Sequence, residues 1–365
     1  MLTITHYKEG LRIFKRKLLN KPIKKYSGNS KEICKQIIDD CWNGKYLQVS
    51  PGNFAEFYCR DFGIIVKHLL NLGYKKQVES TLKYALKIFK KHNKFTTTIT
   101  PDKIPVDMFY PTPESLSYIV NSLVLLKNKK LIQEYKSFIE QQVQMIFEND
   151  FNQKTGLLRD DKHFSAMKDQ ALRRSSCYNN CFLALLSNNL NKLKLNNPFK
   201  KYNFKKTIKE NFWNGSYFYD DLSHKRYIAG DANVFPFWCD IFTSKKMFNS
   251  VLDTIQRNGL DKPWPLRYTR SRIKAHEYFP VRFFSKNYEG NTVWMHLGSC
   301  FIDVVSKFNK QLTKYYLEQY KHVIQKHKNF LEVFNPDGTI YKTPFYKADE
   351  SMSWCAIYLN LIHSK

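Results

Sequence analysis

The way its helical segments are joined constrains this chain most. Apolar residues recur at helical spacing from about residue 30 to residue 363, while period-two alternation is rare. The pattern predicts twelve helices, at 30–43, 61–73, 75–93, 113–127, 129–149, 175–192, 203–212, 231–244, 245–258, 289–308, 310–330 and 350–363. Asn29-Ser30, Pro113-Glu114, Asp231 and Asp349 read as start signals; Gly73, Asn93 and Gly259 read as stops. The links alternate in length. "NLGYKK", "LKNKKLI", "TSKKMF" and "KFNKQL" turn within a few residues, whereas 44–60, 94–112, 150–174, 213–230, 259–288 and 331–349 are long and rich in Pro, Gly and aromatics. Short links on one side and long ones on the other make six αα-hairpins. Closed in a ring, they give an all-α (α/α)6 toroid with every long loop on one face. "FNQKTGLLRDDKHFSAM", "FWNGSYFYDDLSHKRYIAG" and "FNPDGTIYKTPFY" each hold a Gly turn between β-prone runs, so short β-hairpins are expected in the long loops. No linker or shift of composition breaks the chain, and one domain over 1–365 is expected.

Hydrophobic residues make up 43% of the 365, enough for a sizeable core. The formal charge of +27 raises the question of a nucleic-acid partner. The lysines, however, are spread along helices such as "KQVESTLKYALKIFKKHNK", with no Arg-rich arm, zinc-finger spacing or RNP motif. They read as a solvated surface, and a nucleic-acid partner is not expected. The densest basic run, "RYTRSRIKAHEYFPVR" at 267–282, reads as a loop over a pocket rim. None of the eight cysteines forms a CxxC pair and several lie in apolar helices, which points to free thiols in a reducing compartment. The N-terminus lacks an apolar leader core, and the longest apolar runs, such as "LVLL", are too short to span a bilayer. A cytoplasmic protein without a membrane partner is expected. His322 and His327 lie on a Lys-rich helix, and no Gly-rich phosphate loop stands out, so neither metal nor cofactor is expected.

Carboxylates gather where long loops meet helix starts: Asp61, Glu114, Asp169, Asp231, Glu289, Glu332 and Glu350. Any one of them has a simpler explanation as a helix cap. Their company is more telling, because Phe57, Tyr110, Phe235, Trp238, Tyr288, Trp294 and Trp354 sit beside them. Carboxylates accept hydrogen bonds from hydroxyls and rings stack on apolar sugar faces, so this mixture suits a neutral polyhydroxylated ligand. Glycoside hydrolysis needs two carboxyl groups straddling the scissile bond. Asp169, after "FSAM" and after Asp160 and Asp161, suits the acid; Glu332, from the other end of the ring, suits the base. Glu350 competes for the second role but reads as a cap of the last helix. In "NFAEFYCRDFG", Asp61 caps a helix and faces the ring's centre, with Arg60 holding it ionised and Phe57 or Tyr58 on the pocket wall.

At these residues the chain resembles the (α/α)6 six-hairpin glycosidases, especially the glucosidase domain of glycogen-debranching enzymes. "AEFYCRDFGI", "MFYPTPESLSYIVNSL", "GLLRDDKHFSAMKDQALRRSSCYNNCFLALL", "FWNGSYFYDDLSHKRYIAGDANVFPFW", "YEGNTVWMHLGSCFIDVV" and "FLEVFNPDG…SMSWCAIYLNLI" are similar to the family's motifs in the family's order, over roughly residues 30–363. The resemblance implies an inverting, exo-acting glycosidase on an α-glucoside or short glucan, with Asp169 as general acid and Glu332 as general base. It implies sugar contacts from Arg60, Asp61, Phe57, Tyr110, Glu114, Asp231, Tyr288, Glu289, Asn291, Trp294, Trp354 and Glu350. The chain departs from the pattern at Met167-Lys168 and at Glu289-Gly290-Asn291. Two alternatives stay open. One is a catalytically impaired carbohydrate-binding protein in which Lys168 pairs with Asp169. The other is a disaccharide hydrolase of the invertase or trehalase kind.

Overall fold

The computed structural model describes residues 3–19, 22–274, 277–278 and 281–363. In chain order its helices are α1 (Ile4–Leu18), α2 (Ser30–Asp40), α3 (Cys59–Asn71), α4 (Lys75–Lys91), α5 (Pro113–Leu126), α6 (Lys129–Asn149) and α7 (Cys177–Leu193). There follow α8 (Phe204–Phe212), α9 (Gly230–Trp238), α10 (Lys245–Arg257), α11 (Val281–Phe284), α12 (Met295–Phe308), α13 (Lys310–His327) and α14 (Cys355–His363). The ring closes: α3, α5, α7, α9, α12 and α14 each pack against the next, and α14 packs against α3. Around them stand α2, α4, α6, α8, α10 and α13, giving the expected (α/α)6 toroid.

Residue patterning sorts the two layers. Inner helices are buried all round; every residue from Pro113 to Val120 and from Gly230 to Phe237 is buried. Outer helices are amphipathic. In α4, Val78, Leu82, Ala85, Leu86 and Phe89 face inward while Lys75, Lys76, Lys83 and Lys87 stay in solvent. Asn29 caps α2 in a reciprocal capping box with Glu32, and Ser176 caps α7. Gly73 and Gly259 take left-handed φ values of 90° and 64° at the ends of α3 and α10.

Short strands stitch the loop face together. β1 (Phe57–Tyr58), β2 (Thr98–Ile99) and β3 (Pro105–Val106) form one antiparallel sheet. β4 (Phe151–Asn152) pairs with β5 (Leu157–Leu158), and β6 (Val293–Trp294) with β7 (Val333–Phe334). The β4–β5 hairpin is the one expected in 151–167. Segment 212–230 holds an isolated bridge, Trp213 to Phe218, and beyond β7 the segment up to 347 holds two, Phe334 to Ile340 and Lys342 to Lys347, in place of full hairpins.

Three helix boundaries differ from expectation. α9 ends at Trp238 rather than 244, because Pro236 removes a backbone donor and Asp240 turns left-handed at φ 55°. α12 starts at Met295 rather than 289, because Val293 and Trp294 are paired with Phe334 and Val333. α14 starts at Cys355 rather than 350. Asp349 is engaged by the Ser50 hydroxyl and the Asn53 N–H, and Ser351 is left-handed at φ 60°, so neither Asp349 nor Glu350 caps the helix. Helices α1 and α11 lie outside the expected set. All eight cysteines are buried and unbridged. No helix of the described residues is long and apolar enough to cross a membrane.

The inner ring depends on close helix contact. A Cβ built on Gly63 in α3 would lie 2.2 Å from Cδ1 of Tyr118 in α5, and Tyr118 is wholly buried. Gly63→Ala is expected to lower stability by about 1–3 kcal/mol or more, read from the urea midpoint. An unchanged midpoint would mean that the α3–α5 contact is looser than described.

Candidate active site

The loop face opens into a cavity of about 100 Å³. Its walls come from the loops or N-terminal turns of five of the six inner helices; the segment before α9 contributes none. Asp61 and Arg60 reach it from the first turn of α3. Asp169 and Gln170 come from the loop before α7. Tyr288, Glu289, Trp294 and His296 come from the entry to α12, while Glu332 and Trp354 come from the entry to α14. Phe54, Tyr58, Met108, Phe109 and Met167 add an apolar lining.

Arg60 and Asp169 form the closest ion pair in the pocket. The guanidinium donates to Asp169 Oδ1 at 3.1 Å and Oδ2 at 2.8 Å, a bidentate contact. The Ser165 hydroxyl donates to Asp169 Oδ1 at 2.6 Å, and Arg60 also donates to the Ala166 carbonyl. Asp61, expected as the arginine's partner, lies 3.8 Å from Arg60 Nε; its short hydrogen bond comes from Trp354 Nε1, at 2.9 Å. Burial raises the Asp61 carboxyl above the usual aspartate range despite Arg60.

Glu332 is wholly buried, and three donors point at it: the Tyr288 hydroxyl, the Tyr346 hydroxyl at 2.6 Å and the Asp349 N–H at 2.7 Å. Loss of hydration outweighs these donors and pushes its pKa up to about 8. The β6–β7 register, which sets Trp294 opposite Val333, fixes the neighbouring Glu332 beside the aromatic wall. Glu289 accepts the backbone N–H groups of Asp169 and Gln170 at 2.9 and 2.8 Å. Burial, with the nearby Asp169 charge, raises it to about 8 as well. Glu289 thus holds the loop that carries Asp169.

Six expected contacts fall outside the cavity wall. Phe57 is core, packed on Phe62 and Phe89 with centroids at 5.5 and 6.3 Å; its neighbour Tyr58 takes the wall position. Tyr110 packs edge-on against His163 and Tyr278. Glu114 is buried 3.8 Å from Arg60 with its carboxyl pushed well up by desolvation. Asp231 pairs with Arg173 at 2.7 Å and lies 3.8 Å from Lys168. Asn291 accepts from the Asn287 amide, and Glu350 accepts the Lys24 N–H at 2.8 Å. Lys168 does not reach Asp169; it joins Asp220 at 3.2 Å in a buried cluster with Arg173 and Asp231.

Sequence reading passed over other wall residues. Phe54 sits in an aromatic stretch near recognised carboxylates, so composition held a signal for it, as it did for Tyr346, which lies behind the wall on Glu332. His296 did not stand out. Its Nε2 lies 3.0 Å from the Tyr268 hydroxyl, which itself donates to the Met167 carbonyl at 2.8 Å. Nε2 therefore carries the proton, and burial holds the ring neutral. In the 267–282 run, Arg267 donates to the Lys262 and Pro336 carbonyls and Arg272 pairs with Glu277 at 2.6 Å. Ala275, His276, Phe279 and Pro280 of that run lie outside the described residues.

No family model and no curated protein matches the sequence. Solved structures do match. A rhamnosidase from Klebsiella oxytoca with rhamnose bound superposes with a TM-score of 0.66 at 10% identity, over 94% of this chain and 65% of that one. The chain thus spans just under two thirds of that enzyme. A GH63 mannosylglycerate hydrolase from Thermus thermophilus, in complex with Tris and D-glycerate, gives 0.65 at 9% identity over 92% of this chain and 100% of the other. A wild-type glycosidase gives 0.63 at 8% over 100% and 98%. None of these is described as a debranching enzyme. The chain has the (α/α)6 fold of the six-hairpin glycosidases.

Proposed function

We propose that the chain is a glycoside hydrolase that holds a sugar between Asp169 and Glu332. The observation that carries this reading is their placement. Asp169 precedes the third inner helix and Glu332 the sixth, half a turn apart around the ring, yet both line one cavity. Two carboxyl groups facing each other across a sugar are what hydrolysis with inversion requires. Asp169 acts as general acid on the leaving oxygen, and Glu332 as general base on a water at the opposite face. Asp61, steadied by Trp354, accepts hydrogen bonds from sugar hydroxyls, and Trp294 offers its ring. A cavity this small suits the end of an α-glucoside or short glucan better than the middle of a chain. We place the enzyme in the cytoplasm, which suits eight unbridged cysteines.

A second reading rests on the Arg60 contact. A general acid must arrive with a proton, yet both Asp169 oxygens are engaged as acceptors. If the guanidinium keeps that grip, the pocket binds a sugar without cleaving it. Here Arg60 takes the part first given to Lys168.

A panel of α-glucosides, α-mannosides, rhamnosides and disaccharides separates the two. Hydrolysis of at least one member is expected, with Asp169→Asn and Glu332→Gln each lowering kcat/KM by roughly 10²–10⁴ and leaving circular dichroism intact. Calorimetric binding with no hydrolysis favours the second reading. Neither binding nor hydrolysis excludes both.

The pH profile tests the role of Glu332. With its pKa near 8, the side chain is neutral below that value and ionised above it. As the base, it makes kcat/KM rise with pH up to about 8 and then level. As the acid, it would make activity fall above about 8. The profile should lose this limb in Glu332→Gln.

A further inference from the structure

A larger cavity of about 350 Å³ adjoins the candidate active site. The two share Phe54, Tyr58, Met108, Phe109, Gln170 and Tyr288, so they meet along one wall. The far wall is α1, a helix outside the six-hairpin ring, which contributes Tyr7, Gly10 and Ile13. α1 is fastened across the loop face by polar contacts. His6 Nε2 donates to the Asp107 carbonyl at 2.7 Å, and Arg12 bridges Glu9, Glu56 and the Asn53 carbonyl.

The chemistry of this second cavity differs from that of the first. Its exposed lining is predominantly apolar, with Ile13, Phe54, Val106, Met108, Phe109 and Phe284 among the residues that form it. Several polar side chains on its wall are turned to other partners. Thr98 Oγ1 donates to the Phe57 carbonyl at 2.7 Å, Thr100 Oγ1 accepts the Ile104 N–H at 3.2 Å, and Glu56 is held by Arg12. No Lys or Arg lines the cavity among the described residues, although the chain carries +27. A phosphorylated leaving group would lack a counter-charge here, and a second sugar would set most of its hydroxyls against an apolar wall.

We propose that this cavity receives the leaving group of the glycoside, and that the leaving group is apolar: an alkyl or aryl aglycone. This rests on the sugar-pocket reading above. The ring then supplies the sugar site, and α1 supplies specificity for what the sugar is attached to.

The test is calorimetric titration of the whole chain with methyl and octyl glycosides of the gluco, manno and rhamno series, and with 1-octanol alone. For the sugar that binds, the octyl glycoside should bind roughly tenfold tighter or more than the methyl one, which takes burial of about two methylene groups. Ile13→Lys places an unpaired charge in the cavity. Gly10→Leu fills space where an added Cβ meets nothing within 4 Å, and it favours the helix. Each should bring the octyl-to-methyl ratio towards one. A ratio near one in the wild type, or a large ratio that survives both substitutions, overturns the proposal. If no glycoside binds, the sugar-pocket reading fails separately. Octanol binding that is lost in Ile13→Lys still upholds an apolar site, and absence of octanol binding refutes it.

Discussion

Arg60 brings a guanidinium into a pocket wall that is almost closed to water and already crowded with carboxyl groups. It holds both oxygens of Asp169 and lies 3.8 Å from Asp61 and from Glu114. One buried cation cannot neutralise three buried anions. Desolvation raises the carboxyls of Asp61 and Glu114, which relieves the excess of negative charge. Arg60 and Ser165 fix the Asp169 carboxyl, and Glu289 secures its backbone through two N–H groups.

The ring makes such crowding tolerable. Inner helices buried on all sides project their N-terminal turns toward one face, where long loops converge. Two-residue strands then tie loops from different hairpins together, so that β6–β7 sets Glu332 against Trp294 and the Tyr288 hydroxyl. The second carboxylate therefore sits in a dry aromatic box while the first sits on an arginine. The two carboxyl groups thus meet one cavity from unlike surroundings, an arginine and a serine hydroxyl on one side and two tyrosine hydroxyls on the other.

Much of the fold was legible because the inner and outer helices are encoded locally. Caps such as Asn29, stops such as Gly73 and the alternation of link lengths are all readable within a few residues. What escaped was set at long range. The start of α12 yields to pairing with Val333 and Phe334, far along the chain, and the start of α14 yields to contacts from Ser50 and Asn53. The same holds at the site. The carboxylates could be placed at helix starts, but which of them open into the pocket depends on partners distant in sequence. Asp231 is absorbed by Arg173, 58 residues away. Glu350 answers to Lys24, and the arginine expected to serve Asp61 serves Asp169. α1 went unread because its place is set by the loop face it crosses, through His6 and Arg12, and not by the hairpin repeat.

The most direct measurement is a crystal structure of the chain soaked with the monosaccharide that binds it. The account predicts one sugar ring in the cavity between Asp169 and Glu332, a hydroxyl on Asp61, and carboxyl groups roughly 6.5–9.5 Å apart across the anomeric carbon. A sugar seated elsewhere, or the two carboxyl groups on the same side of it, would contradict the account.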